Sequence, residues 1–284
     1  MKTTKMFVVM LACLLSGTAC AQHKNQTKAD KQGWHLSMQS YTFHLFSVME
    51  SLDKTQDLGI RFIEIYPGQK LGNGFGDDVF GYQLNDEQQK KLRQEAKKRN
   101  IRIVSSGVWV AEREEWESVF SFAKKMKMEF ISAEPAREDW DVVEAMAKKY
   151  RINVATHNHP NENSYWKPEI LLKNIGQRAP LLGACADVGH YKRMNIEPVS
   201  ALKQLEGRIV SLHFKDIAPK GEAGTLEDVV WGTGVLNVKN MMQELKRQHF
   251  KGYFTIEYEA DWENNLPQIK QSVDYFNQVV ENIF

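Results

Sequence analysis

Cysteine is nearly missing from this chain: Cys13 and Cys20 stand near its start, and only Cys185 lies in the body. No disulfide framework is possible, so the fold must rest on an ordinary hydrophobic core. The roughly 250 residues of the body are enough to build one as a single domain. Charge of one sign is lacking as well. Without residues 1–21, which carry Lys2 and Lys5 and no acid, 35 basic residues face 36 acidic ones. A body with no basic excess and no basic cluster is a poor nucleic-acid binder, because that affinity is built from many phosphate contacts. Beyond the first residues there is no apolar run long enough to span a bilayer.

The N-terminus carries a short basic region, Lys2 and Lys5, then the apolar run Met6 to Leu15 and the small residues Ser16, Gly17, Thr18 and Ala19. That pattern predicts a signal peptide over residues 1–21 and export from the cytoplasm. Ala19-Cys20-Ala21 fits small-x-small cleavage, giving a mature chain from Gln22. Gly17-Thr18-Ala19-Cys20 fits a loose lipobox, with Cys20 lipidated and the protein either periplasmic or held at the cell envelope. The lipobox is the favoured of the two, and its lipid is the only membrane contact expected. The polar residues 22–33 then read as a linker, with the body at 34–284.

From Trp34 onward, short apolar runs alternate eight times with amphipathic segments. The predicted strands are His35–Phe43, Arg61–Tyr66, Ile101–Val108, Phe130–Ala133, Ile152–His157, Gly183–Val188, Ile209–Lys215 and Tyr253–Tyr258. Between them, Asp86–Arg99, Glu114–Met126 and Leu236–Arg247 place apolar residues three and four apart, which predicts helices. Pro168 and Pro198 suit first helical turns, and Gly59 and Gly207 suit C-terminal caps. Eight β-then-α units in this length predict a single (βα)8 TIM barrel. An open doubly wound sheet would more often show a Gly-rich first turn, and Thr42 to Phe46 holds no glycine.

In such a barrel the chemistry sits at strand ends and in the loops that follow. Here those ends read Ser132-Ala133-Glu134, His157-Asn158-His159, Asp187-Val188-Gly189-His190, His213-Phe214-Lys215-Asp216 and Glu257-Tyr258-Glu259. Alternation puts His157 with His159, His213 with Lys215, and Glu257 with Glu259 on common faces. Singly, each acid reads as a helix cap or ion-pair partner, and Asp216 is the clearest such case. Together, imidazoles and carboxylates at the ends of strands four to eight predict a divalent-metal site, with Mn, Co, Ni or Zn as suitable ions. Trp109, Trp140, Trp166 and Trp231 fall in or near loops around the same mouth, where sugar stacking and rim packing are equal expectations. The segment Ala218 to Gly234 is either a lid or an ordered connection.

These residues resemble the xylose-isomerase-like barrel superfamily, which includes sugar phosphate isomerases and epimerases. The resemblance runs from Gln39-Ser40-Tyr41-Thr42-Phe43 and Gly59 to Tyr66 through the motifs at Asp187, His213 and Glu257. It implies Asp187, His213 and Glu257 as metal ligands and His190 as a contact to sugar hydroxyls. Where many epimerases carry a ligating Glu, this chain has His157, and Glu134 on the neighbouring strand is expected to supply the carboxylate. Tyr41, Glu64 and Trp109 are expected against the substrate.

The implied chemistry is removal of a proton α to a sugar carbonyl, with Lys215, His159 and Glu259 as candidate bases. His157 and the export signal resemble a subgroup that cleaves 3-keto-glycosides by β-elimination, and that lyase or hydrolase is the leading expectation. A keto-sugar isomerase or epimerase with the same metal site is the alternative. A phosphodiesterase of the AP-endonuclease kind is disfavoured by the charge balance, and a non-catalytic sugar-binding lipoprotein would need no metal.

Overall fold

The computed structural model describes residues 26–284. The expected signal peptide and Cys20 lie outside them. Eight parallel strands form the barrel: β1 (Trp34–Gln39), β2 (Phe62–Ile65), β3 (Arg102–Ser106), β4 (Phe130–Ala133), β5 (Asn153–His157), β6 (Leu182–Asp187), β7 (Ile209–Phe214) and, after a hairpin, β10 (Gly252–Ile256). Their order, β3-β2-β1-β10-β7-β6-β5-β4, is that of a single (βα)8 TIM barrel. The seam between β3 and β4 is stitched by Glu129 N–H to Val104 O at 2.9 Å and Trp109 N–H to Ser132 O at 2.9 Å. No helix of the described residues is long and apolar enough to cross a membrane.

Strand alternation sorts the side chains into two sets. One parity faces the helices, where Phe254 meets Trp34, Phe214 and Phe276. The other parity fills the barrel in layers. Val104, Phe130, Ala155, Cys185 and Tyr253 close its lower half as a separate apolar cluster. Two residues further along the same strands stand Ser132, His157, Asp187 and Thr255, so the interior turns polar toward the C-terminal end. Pro168 and Pro198 open their helices, and Gly59 and Gly207 follow theirs at positive φ.

Most strand ends fall within one or two residues of the sequence expectation, and three larger differences remain. The first strand stops at Gln39 and not Phe43, because the Gln39 side chain accepts the Tyr41 N–H at 3.2 Å and starts a 3-10 turn over Ser40–Phe43. The segment Ala218–Gly234 lies largely in an antiparallel hairpin of β8 (Asp216–Lys220) and β9 (Thr225–Val229). Its ends are tied by Asp216, foreseen as a helix cap or ion-pair partner, whose carboxylate instead accepts the loop N–H groups of Ile217, Gly232, Gly234 and Leu236. The ordered body also begins before Trp34. Thr27 caps a one-turn helix, Lys28–Lys31, and Asp30 pairs with His35 at 2.7 Å and Arg61 at 2.5 Å.

Candidate metal centre and active site

The strand ends converge as alternation requires. His157, Asp187, His213, Lys215 and Glu257 are all buried, and His159, His190 and Glu259 sit above them. Of these, His159, His190, Glu257 and Glu259 border a cavity of about 350 Å³. The rest of its lining includes Tyr41, Tyr66, Pro67 and Val108. A volume at the low end of the usual small-molecule range, roughly 300–1,000 Å³, suits a compact ligand.

Three buried atoms at the ends of β5, β6 and β7 receive no well-aligned hydrogen bond: His157 Nε2, Asp187 Oδ2 and His213 Nδ1. They lie close together. His157 Nε2 is 3.7 Å from Asp187 Oδ2, and His213 Nδ1 is 3.2 Å from Glu257 Oε2. Ligand atoms of His157, Asp187, His190 and Glu257 all fall within 4.8 Å of one another. Orphaned buried polar atoms are costly, and two imidazoles with two carboxylates are a donor set for a divalent ion. The cluster therefore fits a divalent metal.

The outer nitrogens of His157 and His213 are held by carboxylates. Glu64 accepts from His213 Nε2 at 2.8 Å, and Glu134 contacts His157 Nδ1 at 3.0 Å. That is the usual support of a metal-bound histidine. Burial lowers the His157 pKa, but Asp187 and Glu134 more than offset it and raise it to about 10. For His213 burial again opposes, and the Glu257 carboxylate is among the groups that lift it well above the usual imidazole range. Both shifts report a cluster that draws positive charge.

Several expected residues take other places. Glu134, foreseen as a ligand, contacts His157 Nδ1 and His159 Nδ1 through one oxygen and Ser164 through the other, so it faces away from the orphaned atoms. Glu64, foreseen at the substrate, is fully buried, with Gln39, Ser105, Ser132 and His213 on its two oxygens. Trp109 is 6% exposed, bonds Ser106 through Nε1 and stacks on Tyr82, which makes it rim packing. Trp140 and Trp231 are buried in the same way. Tyr41 does line the cavity, 41% exposed.

Lys215, foreseen as a base, is a buried ammonium among carboxylates. Its Nζ is 3.0 Å from Asp187 Oδ2, 2.8 Å from Glu257 Oε2 and 2.9 Å from Glu259 Oε1. Burial opposes its charge, but Asp187, Glu257 and Glu259 outweigh burial and hold its pKa well above the lysine range.

Sequence reasoning missed Arg193 and Asp228. Arg193 NH1 donates to His190 Nδ1 at 3.1 Å, and its NH2 bonds Asp228 Oδ1 at 2.7 Å. Burial, with Lys215 and His157 nearby, pushes the His190 pKa well below the usual range despite Asp187. A neutral His190 that accepts at Nδ1 must carry its proton on Nε2, so it presents a donor. The (i, i+3) spacing of His190 and Arg193 was the one signal available.

A family model described as "Xylose isomerase-like TIM barrel" matches residues 52–279. No curated protein matches the chain. Among solved structures, an uncharacterized protein from Parabacteroides distasonis is 39% identical, with a TM-score of 0.72 over 87% of this chain and 99% of that one. A sugar phosphate isomerase/epimerase from the same organism is 18% identical, with a TM-score of 0.63 over 86% and 94%. The IolI protein with a bound zinc atom is 16% identical, with a TM-score of 0.70 over 88% and 99%. These last two share the fold.

Proposed function

The chain belongs to the xylose isomerase-like TIM-barrel family, and on that premise we propose a divalent-metal-dependent enzyme that removes a proton α to a sugar carbonyl. The observation that carries this reading is the gathering of buried His157, Asp187 and Glu257 ligand atoms within 4.8 Å of one another, with His213 Nδ1 3.2 Å from Glu257 Oε2 and without an aligned hydrogen bond. Those four residues would hold the ion; Mn, Co, Ni and Zn all suit them. A bound divalent ion supplies Lewis-acid stabilisation of the oxyanion that grows on the carbonyl oxygen as the neighbouring C–H bond breaks.

The chain's own groups supply the rest. His159 is the base. Its Nδ1 is fixed on Glu134, which leaves Nε2 free, and the ring borders the cavity. Glu259 is a poorer choice, because Lys215 already holds one of its oxygens. His190 Nε2–H donates to a sugar hydroxyl, and Tyr41 with Tyr66 offers an apolar face to the ring.

The reading at finer grain is a 3-keto-glycoside 1,2-lyase or hydrolase. His159 takes the C2 proton, the C2–H electron pair forms the C1–C2 double bond, and the C1–O bond breaks. The departing oxygen then takes up a proton. Support comes from His157, which stands where many epimerases carry a ligating carboxylate, and from residues 1–21, which read as an export signal. Free glycosides are more accessible outside the cytoplasm than sugar phosphates are. The second reading, a keto-sugar isomerase or epimerase, uses the same first step and is favoured by the neighbours with that fold.

The test is a proton NMR time course of methyl 3-keto-glucoside with the protein in deuterated buffer. Methanol release with loss of the C2 proton supports the lyase. Loss of that proton from a sugar that stays intact moves the assignment to isomerase or epimerase. A C2 signal that persists with added ion sinks both.

A further inference from the structure

The two carboxylates expected to bind the ion are already taken by a cation of the protein's own. Lys215 follows β7, and its ammonium reaches Asp187 Oδ2 at 3.0 Å and Glu257 Oε2 at 2.8 Å. Both are oxygens the metal reading needs. The side chain is 1% exposed, so bulk solvent screens the charge little. We propose that Lys215 is an internal competitor of the divalent ion, so that loading the site requires its ammonium to leave Asp187 and Glu257 and remain on Glu259. This rests on the metal reading above.

Geometry and charge support the exchange. The contact with Glu257 is a well-directed hydrogen bond, but the one with Asp187 is not, and Asp187 Oδ2 stays without an aligned donor. Lys215 therefore neutralises Asp187 without satisfying it. The third partner, Glu259, lies further out, with 28% of its side chain exposed, and it can keep the ammonium when the inner two are withdrawn. Three carboxylates surround the one ammonium, so Glu259 can hold it while the inner two oxygens take the ion. Ion and ammonium can thus coexist once they no longer contend for the same oxygens.

The sequence also makes room for this lysine. A Cβ on Gly189 would stand 2.5 Å from Lys215 Cδ and 2.8 Å from Cγ, closer than real contacts allow. Gly189 lies in the first turn of the helix Val188–Arg193, between the ligand Asp187 and the donor His190. The helix itself has no use for a glycine there. The lysine stem passing over it does.

The test measures Mn and Zn affinity of the whole mature chain at one fixed pH, by competition with a chromophoric chelator. Lys215→Met keeps the stem and removes the ammonium, and it should bind the ion at least tenfold more tightly than the wild type. Lys215→Arg should bind no more tightly than wild type. Gly189→Ala leaves every charge in place but crowds the lysine stem off its path, and it should tighten binding several-fold. That variant keeps the question answerable if Lys215→Met does not fold without metal.

Wild-type binding with unchanged affinity in Lys215→Met and Gly189→Ala would overturn the proposal and leave the metal site standing. Binding seen only in Lys215→Met would support the proposal in its strongest form. Failure of every variant to bind either ion would remove the metal reading, and this inference with it.

Discussion

Glu64 on β2 holds His213 on β7 across the barrel interior, past β1 and β10, with Oε1 2.8 Å from Nε2 and neither side chain exposed. The contact joins residues 149 apart in the chain. It fixes which nitrogen of His213 faces the orphaned atoms of His157 and Asp187. Glu64→Gln keeps the shape and the hydrogen bonds to Ser105 and Ser132 but weakens the grip on the imidazole. Metal affinity should fall about 10–100-fold, the usual effect of removing such a support. Isothermal titration with Zn or Mn checks this, and an affinity within threefold of wild type would mean His213 needs no such anchor.

The role given to His159 predicts a loss confined to the chemical step. The residue borders the cavity and 44% of its side chain is exposed, so His159→Asn should unfold at nearly the wild-type temperature. Its kcat should drop roughly 10²–10⁴-fold, the usual share of a general base. Metal affinity should stay within about threefold, because the ligands are untouched. A variant that still exchanges the C2 proton at a tenth of the wild-type rate or faster would move the base to Glu259.

Acid stability depends on a residue far from the cavity. Burial alone would raise the Asp30 pKa, but hydrogen bonds from His35 and Thr27 and the Arg61 charge bring it down to about 2. A carboxylate whose folded pKa is depressed stabilises the fold above its unfolded value, near 3.8, and loses that contribution as pH falls toward 2. Asp30→Asn should therefore cost about 1–2 kcal/mol at pH 7, discounted for its partial exposure, and almost nothing near pH 2. Urea melts of both proteins at the two pH values read this directly. A difference of equal size at both would show that Asp30 acts by shape and not by charge.

Asp216 tests the structural reading of the hairpin. It is 1% exposed and accepts four backbone N–H groups that no other side chain reaches in its place. Asp216→Ala should cost about 2–4 kcal/mol by leaving those donors without a partner. Thermal unfolding would show it, and limited proteolysis should cut first between residues 216 and 236. A loss under about 0.5 kcal/mol would mean the segment is held by its strand pairing alone.

Periodicity made the eight strands legible to within a few residues, because strand parity and helix spacing are local properties. The gathering of strand-end residues was legible too: His157, Asp187 and Glu257 come together with His190, and His213 Nδ1 lies 3.2 Å from Glu257 Oε2. Direction was readable, but depth and partners were not. Glu64 and Glu134 have the right parity, yet each is used by an imidazole from another strand, a relation no spacing encodes. Lys215 reads as a base until three carboxylates, Asp187 at the end of β6 and Glu257 and Glu259 just beyond β10, are seen around it. The hairpin hid because Asp216 makes it by gathering N–H groups up to 20 residues away.

The measurement closest to the central claim is the rate at which the C2 proton of a 3-keto-glycoside is lost to deuterated solvent, followed before chelation, after it, and after one divalent ion per chain is returned. The account predicts loss that stalls on chelation and resumes on return of the ion, with Asp187→Asn inert throughout. Loss that continues unchanged after chelation, or in Asp187→Asn, would contradict it.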